Sequence, residues 1–581
     1  MGILTLVKAL VILLAFFLVF LWRNKGSGAY FPLILKCISL YFIAVYIVIV
    51  GFRILYPFQL SIWEGATLDQ CRRILSGHVI FYSKPSLTFT PYLYTPLYYY
   101  LSSLFMKLLG IGFLAPRLIS FLSSLACFAL IYFMVKKETQ ERLYGLLAAG
   151  IFAATFGTDT NFLSWIWASF FTSPTEYNLE VGYGGWLDPS YRYLDSGYGG
   201  WLDTANVDSL FLLLVLSCFF IVRNSRDFYG PVSAAIFLAA AFFTKQPAIF
   251  IAPFIALFYF IEDRKQFVSF SAVFVALFSS LFLVFVKATD GWFHYYVYYK
   301  YKQLYLYMTP ALRDRFLFSD ILAPLPVIFV IIFFYFLLNY KQLFSLSGNG
   351  IKNRFYFLIS LGVFVVSWFG RSHCGGDNNI LLPTYAMLSI VFAIGCQAIL
   401  RLVAARSTGN LIRLLFYAIL TTQYILLFYN PATRIPDAKD RQAGEHLLNT
   451  IKSYRGDVFM PFHNYLIAMA GKTTYAHGPG LLRLLAKPYT QPDQELKHEI
   501  EESIRHKRFD AVVSDEYPYL FQNARNVREN GEWFVLINKD LLNQYYESSK
   551  RLFPEDLMAF FPTTAWLVRP SVIYVPKKSD F

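Results

Sequence analysis

Residues 231–261 read PVSAAIFLAAAFFTKQPAIFIAPFIALFYFI. This stretch contains a single charged side chain, Lys245, and its 31 residues exceed one comfortable bilayer crossing of about 20 residues but fall short of two full ones. Pro247 breaks a continuous helix, because proline lacks the amide hydrogen and its ring clashes with the preceding turn. The stretch therefore predicts a hairpin or a broken helix in a membrane, with Lys245 at its outer tip.

The rest of the chain has the composition of a polytopic membrane protein. Of its 581 residues, 56% are hydrophobic and only 15% are charged, whereas soluble proteins have roughly a quarter charged residues. This balance excludes an ordinary cytosolic enzyme, a disordered protein and a disulfide-rich secreted module. About twelve apolar runs are long enough to cross a bilayer or to form half of a hairpin: 3–22, 31–54, 117–135, 143–157, 208–222, 231–244, 246–261, 267–287, 319–338, 356–370, 381–400 and 411–429. The predicted fold class is an all-α membrane bundle of about twelve transmembrane segments.

The first apolar run is interpreted as a retained N-terminal membrane anchor, residues 1–30. It has no small-residue cleavage site, and its basic residues, Arg23 and Lys25, follow the apolar run instead of preceding it.

Loop charges predict the orientation of the bundle. Basic residues occur in alternate connections: Arg23 and Lys25, Lys136, Lys137 and Arg142, Arg223 and Arg226, Arg264 and Lys265, Lys341, Lys352 and Arg354, and Arg401 and Arg406. The positive-inside rule places these connections in the cytoplasm. The net charge of +14 is thereby explained without a nucleic-acid partner. We expect a multi-pass protein of the plasma (inner) membrane, with residues 55–116, 158–207, 288–318, 371–380 and the chain from about 432 outside the cytoplasm.

Composition changes again near the C-terminus. From about residue 437 charges become frequent and apolar runs shrink to strand length, as in 457–461, 509–514 and 571–576, with helical stretches at 438–454 and 494–507 between them. We expect a transmembrane domain over 31–432, with a large first outer loop at 55–116, and an extracytoplasmic soluble α/β domain over 433–581.

Two features of the outer loops stand out. Residues 96–110 are amphipathic, rich in tyrosine and too short to span, which predicts a helix along the membrane surface. The heptapeptide GYGGWLD occurs at 182–188 and again at 197–203, which we interpret as a local duplication because solenoids need at least about three repeats.

Acidic residues of these loops are candidates for acid–base chemistry. Glu64 and Asp69 follow the second apolar run, where a partly desolvated carboxylate can act as general base toward a hydroxyl, although an exposed loop acid is the alternative. Asp203 and Asp208 precede the run at 208–222. For Asp208, a role in capping the N-terminus of that helix is as well supported as a role in chemistry. Asp203 lies too far before the helix for such a capping role, which makes it the stronger candidate for chemistry.

Cationic and amide side chains supply candidates for anion binding. Lys245 needs an anionic partner in its apolar surroundings, and a lipid-linked phosphate suits it; a lysine snorkelling at a helix end is the alternative. The connection from Arg371 through His373 to Asn379 combines donors for phosphate or sugar oxygens with two glycines, and a tight polar turn is the alternative. No Walker loop, HExxH motif or metal-ligand spacing is present, which does not favour ATP-driven transport.

The order of these motifs resembles that of the GT-C superfamily glycosyltransferases. The resemblance rests on Trp63-Glu-Gly-Ala66 with Cys71-Arg-Arg-Ile-Leu-Ser-Gly77, Tyr94-Thr-Pro-Leu-Tyr-Tyr99, Arg117-Leu-Ile-Ser120, Trp201-Leu-Asp203 with Asp208, Thr244-Lys-Gln246 and Gly375-Gly-Asp-Asn-Asn379. The chain is similar to bacterial family 39-like proteins, the relatives of protein O-mannosyltransferases and of the lipid A aminoarabinose transferase, over about residues 31–500.

The resemblance implies a polyprenyl-phosphate sugar donor and assigns roles to matched residues. Glu64 occupies the second position of the family's acidic pair, while Trp63 replaces the first acid, so Glu64, Asp69 and Asp203 are the catalytic candidates. The candidates for substrate binding are Tyr94, Asp208, Lys245, Gln246, Arg371, His373 and Asn379. Arg371 and His373 are included for their donor chemistry alone, and the resemblance places Lys245 near the donor phosphate.

The predicted function is transfer of a sugar from a polyprenyl-phosphate donor to an acceptor hydroxyl at the outer face, by an inverting mechanism with an acidic base. A lipid-linked saccharide binder or flippase without transfer chemistry is the alternative. An ion-coupled transporter fits less well, because the spans are nearly free of acidic residues. The sequence names no cofactor, leaves a divalent metal open, and identifies neither the sugar nor the acceptor, which is a glycan, a lipid or a protein.

Overall fold

The computed structural model describes residues 30–157, 200–225, 227–305, 316–372, 376–404, 409–485, 490–516, 532–533, 536–553, 559–565 and 568–578. The predicted anchor at 1–30, except its last residue, and the first copy of the GYGGWLD repeat lie outside these residues, as do residues 197–199 of the second copy and His373.

Within the described residues, five helices are long and apolar enough to cross a membrane: Tyr30–Arg53, Leu114–Thr139, Arg264–Ala288, Gly348–Arg371 and Asn378–Val403. Two bent pairs, Phe316–Leu322 with Pro326–Leu338 and Leu411–Leu426 with Pro431–Ser453, raise the number to at most seven. The expected count of about twelve is therefore not confirmed. Several predicted runs form helices of 11 to 17 residues, which are short for a full crossing.

The helices of the membrane region, in chain order, are α1 (Tyr30–Arg53), α2 (Ile62–Leu75), α3 (Leu97–Leu109), α4 (Leu114–Thr139), α5 (Arg142–Ala154), α6 (Asp208–Asn224), α7 (Tyr229–Phe242), α8 (Ala252–Glu262), α9 (Arg264–Ala288), α10 (Trp292–His294), α11 (Tyr301–Tyr305), α12 (Pro326–Leu338), α13 (Gly348–Arg371), α14 (Leu382–Ala404) and α15 (Gly409–Leu426). Short 3-10 or π-helical segments occupy Thr155–Gly157, Gln246–Phe250, Tyr295–Lys300, Phe316–Leu322, Tyr340–Phe344, Asn378–Leu381 and Pro431–Arg434. Helix α6 packs against α4 and α7, and α14 packs against α5, α12 and α13.

The first outer loop is largely helical. Ser61 caps α2 by accepting a hydrogen bond from the amide of Trp63, and the helix buries its first ten residues, including Glu64 and Asp69. The segment predicted to be a surface helix forms α3, which packs against α2 and α4. Glu64 and Asp69 are therefore held on a packed helix, and the alternative of exposed acids in a loop does not apply to them.

The chain from Ala438 onward forms the expected α/β unit. Its helices are α16 (Ala438–Ser453), α17 (Asn464–Met469), α18 (Gly478–Leu485), α19 (Gln491–Arg505) and α20 (Lys539–Tyr545), with a 3-10 turn at Pro461–His463. Its strands are β1 (Val458–Phe459), β2 (Ala511–Glu516), β3 (Glu532–Trp533), β4 (Tyr546–Arg551) and β5 (Arg569–Pro576). The sheet has the order β1-β2-β5-β4, with β1 parallel to β2, the remaining pairs antiparallel, and β3 also paired with β2.

Candidate active site

Three predicted site residues from separate helical segments meet in one buried cluster. Lys245 Nζ lies 2.6 Å from Oδ1 of Asp208, and Nδ2 of Asn379 donates to both carboxylate oxygens of Asp208 at 3.0 and 3.1 Å. All three side chains are buried. Asp208 is the first residue of α6, and the hydrogen bonds described above join its carboxylate to Lys245 and Asn379. Its carboxylate thus joins the start of α6 to the other two residues of the cluster.

The break between α7 and α8 places Lys245 in this cluster. Helix α7 ends at Phe242, and Pro247 stands in the short 3-10 turn Gln246–Phe250 that follows, as expected for a proline in this stretch. The first outer loop satisfies the freed carbonyls: Thr95 Oγ1 donates to Phe242 O at 2.7 Å and the amide of Leu97 donates to Phe243 O at 2.8 Å.

Gln246 fastens the same break from the other side. Its Nε2 donates to the carbonyl of Leu93 at 2.5 Å, and its side chain does not line the cleft described next. The structure therefore gives Gln246 a part in holding Lys245 and Tyr94 together.

The cluster forms one wall of a cleft between the bundle and the α/β unit. The cleft is lined by Trp63, Tyr92, Leu93, Tyr94, Trp201, Asn206, Asp208, Lys245, Pro247, Tyr301, Gly370, Asp377, Asn379, Ile380 and Arg483. Its volume is about 50 Å³, well below the roughly 300–1,000 Å³ of most small-molecule sites. Lining side chains must therefore move to admit a ligand of that size.

Aromatic rings dominate the remaining walls. Lys245 Nζ lies 5.4 Å from the ring centre of Tyr94, and Tyr92 contacts Tyr94 edge to face at 5.1 Å. Burial raises the pKa of Tyr94, so that it stays a neutral phenol. The indole nitrogen of Trp201 is buried and has no hydrogen-bond partner among the described residues. Such surfaces stack on sugar rings and donate to hydroxyl or phosphate oxygens.

Arg371 acts on the cleft through a neighbouring loop. Its guanidinium binds both oxygens of buried Asp320, at 2.7 and 3.2 Å, and donates to Gly376 O at 2.5 Å. Gly376 precedes Asp377 and Asn379, which line the cleft, whereas the side chain of Arg371 does not. The structure thus assigns Arg371 to holding this loop.

Glu64 is fully buried in a saturated ion pair. Its two oxygens accept from Arg117 Nε at 2.9 Å and Arg117 Nη2 at 2.7 Å, and from the amides of Leu60 at 2.6 Å and Ala205 at 2.7 Å. Four donors occupy the roughly four acceptor positions of a carboxylate. Glu64 joins α2, α4 and the segment before α6, and it does not line the cleft.

Asp203 and Asp69 are also buried away from the cleft lining. Asp203 lies 2.7 Å from Arg53 Nε at the end of α1; burial raises its pKa and the adjacent guanidinium opposes this rise. Asp69 accepts from Asn464 Nδ2 at 2.7 Å, and burial raises its pKa to about 6. The structure therefore separates the three predicted catalytic acids from Lys245, Asp208, Asn379 and Tyr94, which it brings together.

Sequence reasoning did not select several residues of the cleft. Asp377 directly precedes the Asn-Asn pair of a predicted site loop, a signal that could have selected it. Trp63 occupies the position of an absent acid, and Arg483 lies in the α/β unit, about 240 residues from Lys245 along the chain. No local pattern marks Arg483. Among the described residues, no group of three or more His, Cys, Asp or Glu side chains is arranged to hold a metal ion.

Two of the described basic connections lie at the opposite end of the bundle. Helix α6 runs from Asp208 in the cleft to Arg223, which binds Glu138 of α4 with Nε 2.7 Å from Oε1. The 15 steps along the helix from Asp208 to Arg223 correspond to roughly 23 Å. Arg354 likewise binds Glu262 at that end, with Nε 2.5 Å from Oε1. Among the described residues, the two connections that carry Arg223 and Arg354 thus lie at the end of the helices opposite the cleft.

No protein-family model and no curated protein matches this sequence. Among solved structures, the chain is similar to ArnT from Cupriavidus metallidurans bound to undecaprenyl phosphate, with a TM-score of 0.50 and 11% identity, over 92% of this chain and 97% of that one. The apo state of the same protein gives 0.49, also at 11% identity and with the same coverage of both chains. The Archaeoglobus fulgidus oligosaccharyltransferase in its apo form gives 0.46 at 12% identity, over 96% of this chain and 76% of that one.

The likeness to ArnT, a lipid A aminoarabinose transferase with the GT-C fold, extends over nearly the whole of both chains. At 11% identity it concerns the fold alone. The GT-C-like fold expected from the order of the motifs is confirmed at this level.

Proposed function

We propose that this protein transfers a sugar from a polyprenyl-phosphate donor to an acceptor hydroxyl at the extracytoplasmic face of the plasma membrane. The observation that carries the proposal is the cleft in which Lys245 and Arg483 meet Asp208 and Asp377, walled by tryptophan and tyrosine rings. The fold shared with ArnT, whose structure is bound to undecaprenyl phosphate, supports this donor class. The position of the cleft, opposite the basic connections, supports the extracytoplasmic side for the site and for the α/β unit.

Lys245 is the proposed ligand of the donor phosphate. Its ammonium is buried, and Asp208 and the broken helix hold it in place. A fixed cation in a low-dielectric site stabilises the negative charge that grows on a departing phosphate. Asn379, bound to the same carboxylate, is the second polar group of this wall and is proposed to orient the sugar or its phosphate.

Asp377 is the proposed general base. In an inverting displacement the acceptor attacks the anomeric carbon from the face opposite the leaving phosphate. Asp208 lies 2.6 Å from Lys245 and is therefore on the phosphate side. Asp377 is the other carboxylate in the cleft lining, so it is better suited to receive the acceptor's proton.

The step is balanced as a single displacement. The base takes the proton of the acceptor hydroxyl, the hydroxyl oxygen forms a bond to the anomeric carbon, and the bond from that carbon to the phosphate oxygen breaks. The products are the glycosylated acceptor with inverted configuration and polyprenyl phosphate, which carries the extra negative charge. The aromatic walls exclude water, which otherwise hydrolyses the donor.

Glu64, Asp69 and Asp203 stay predictions as catalytic residues. Because all three are buried in contacts outside the cleft lining, we propose positioning roles for them: Glu64 with Arg117 holds α2, and Asp203 with Arg53 holds the segment that carries Trp201. Tyr94 and Gln246 are proposed to shape the wall beside Lys245.

The proposal is tested with purified protein in detergent, radiolabelled polyprenyl-phosphate sugars and a crude envelope fraction as acceptor, with and without EDTA to determine metal dependence. We expect transfer of label to the acceptor fraction. Lipid binding by folded protein with neither transfer nor donor hydrolysis, across several sugars, would instead favour a lipid-linked saccharide binder or flippase.

A further inference from the structure

The α/β unit contributes a cation to the cleft. Arg483 lies on α18 (Gly478–Leu485) and is half-buried. Its guanidinium carbon is 5.7 Å from the ring centre of Trp63, and it lines the same cleft as Lys245 and Asn379. Trp63 belongs to the first outer loop. The contact between Arg483 and Trp63 therefore joins the α/β unit to that loop at the cleft.

A hydrogen-bonded contact fixes the start of α18 against the first outer loop. Nδ1 of His477 accepts from the amide of Gly480 at 2.9 Å, and the amide group of Gln70 lies 3.1 Å from Nε2 of the same ring. Burial lowers the pKa of His477 to about 3, so the ring is neutral near pH 7 and Nδ1 can accept. The amide of Ala476 also donates to Leu87 O at 2.7 Å.

Two more contacts join α2 and its N-terminal flank to the same region of the α/β unit. Asn464 donates to Asp69 at 2.7 Å and to the carbonyl of Tyr475 at 2.5 Å. The amide of Gln59 lies 2.8 Å from Nδ1 of His463. Since α2 also carries Trp63, these contacts fix α18 and the aromatic wall relative to each other, and the position of Arg483 at the cleft follows from them.

The charges of the proposed reaction call for a second cation. The donor is a phosphodiester with one negative charge, whereas the polyprenyl phosphate that leaves is a monoester with a higher charge. Lys245 is already paired with Asp208, so binding by Lys245 alone leaves the phosphate beside an uncompensated carboxylate. A guanidinium binds phosphate through two parallel hydrogen bonds, which a lysine cannot do.

We propose that Arg483 is a further substrate-binding residue, which holds the donor phosphate together with Lys245, so that the α/β unit completes the active site. This inference rests on the proposed function. Trp201, whose buried indole N–H has no partner among the described residues, lies in the same lining and can donate a further hydrogen bond to the bound group.

The test compares the affinities for undecaprenyl phosphate and for undecaprenol, which has the same tail without the charge. The wild type, Arg483→Gln, Arg483→Lys and Lys245→Gln are measured, with Arg505→Ala on the exposed face of α19 as the control. We expect Arg483→Gln to lower the preference for the phosphate by about 10- to 100-fold, the range of a charged hydrogen bond. Arg483→Lys should fall between, and the control should equal the wild type.

The ratio of the two affinities separates binding from folding, because a misfolded variant loses both ligands together. If Arg483→Gln binds undecaprenol like the wild type and its ratio is unchanged, the role of Arg483 is overturned, while a reduced ratio in Lys245→Gln preserves the proposed donor. If Arg483→Gln loses both ligands, Arg483→Lys decides in the same way. A wild type without any preference for the phosphate overturns both proposals.

Discussion

Lys245 and Asp208 form a buried ion pair, with Nζ 2.6 Å from Oδ1, although one residue belongs to a broken helix and the other begins α6, 37 positions earlier. A buried charge without a partner raises the free energy of the folded state, so the burial of each of these residues depends on the other. The pair joins the broken helix to the start of α6, and it also forms part of the cleft wall at which we place the donor phosphate.

Removing only one partner of this pair should destabilise the protein. Lys245→Met leaves the Asp208 carboxylate buried with Asn379 as its remaining partner, and we expect a loss of about 3–5 kcal/mol in unfolding free energy. Adding Asp208→Asn removes the stranded charge, so the double variant should melt at a higher temperature than Lys245→Met alone while still failing to transfer sugar. Strictly additive shifts in melting temperature would contradict a coupled pair.

Glu64 should behave as a structural residue. Glu64→Gln replaces an oxygen that accepts two hydrogen bonds by an amide donor and leaves Arg117 without its anion, so we expect a loss of stability of about 3–5 kcal/mol. Thermal unfolding and size-exclusion profiles in detergent report this loss. A variant with wild-type stability and no transfer activity would restore Glu64 as the general base.

Asp69 should make stability depend on pH. Burial raises its pKa from 3.8 to about 6, so the folded protein binds more protons than the unfolded chain between about pH 4 and 6. The contribution of this group to stability therefore falls as pH rises through that window. Asp69→Asn should flatten this slope and, above pH 6, be more stable than the wild type by of order 3 kcal/mol. Melting curves from pH 4 to 7 that shift in parallel for both proteins would rule this out.

Arg371 should affect turnover more than donor binding. Lysine cannot bind both oxygens of Asp320 and also reach Gly376 O, so Arg371→Lys should loosen the loop that carries Asp377 and Asn379. We expect kcat to fall about 10- to 100-fold, as for a misplaced reacting group, with the Kd for undecaprenyl phosphate changed less than about 3-fold. Asp320→Asn, which weakens the same clamp, serves as the comparison.

If Arg371→Lys instead weakened phosphate binding as strongly as it lowered kcat, while Asp320→Asn did not, Arg371 would be a direct ligand of the donor. That is the role predicted for it from the sequence.

Much of the fold was accessible from the sequence, because the deciding signals are local. The break at Pro247, the helix α3 and the strands near 511–516 and 569–576 all follow from nearby residues. The number of spans was not predictable in the same way, since the described part of an apolar run such as 143–157 forms a helix of 13 residues, which is shorter than a full crossing. Helix α2 has no apolar run of its own, so residues 62–75 were assigned only to the first outer loop.

The site was predictable in part, because some of its residues carry local sequence signals. Lys245, Asp208, Asn379 and Tyr94 carry signals of their own, namely an ionisable group in an apolar run or a polar residue at the end of one. The role of Glu64 depends on Arg117, 53 residues away, and that of Arg483 depends on docking of the α/β unit. Such contacts exist only in the folded chain, so no spacing in the sequence indicates which acid faces the cleft.

The most direct test of the account is a single-turnover measurement of sugar transfer by the wild type and by Asp377→Asn, with undecaprenyl phosphate binding measured on the same samples. The account predicts that Asp377→Asn binds undecaprenyl phosphate with wild-type affinity and transfers sugar at least about 100-fold more slowly, the usual contribution of a general base. Transfer at the wild-type rate by a folded Asp377→Asn variant would contradict the assignment of the base to this cleft.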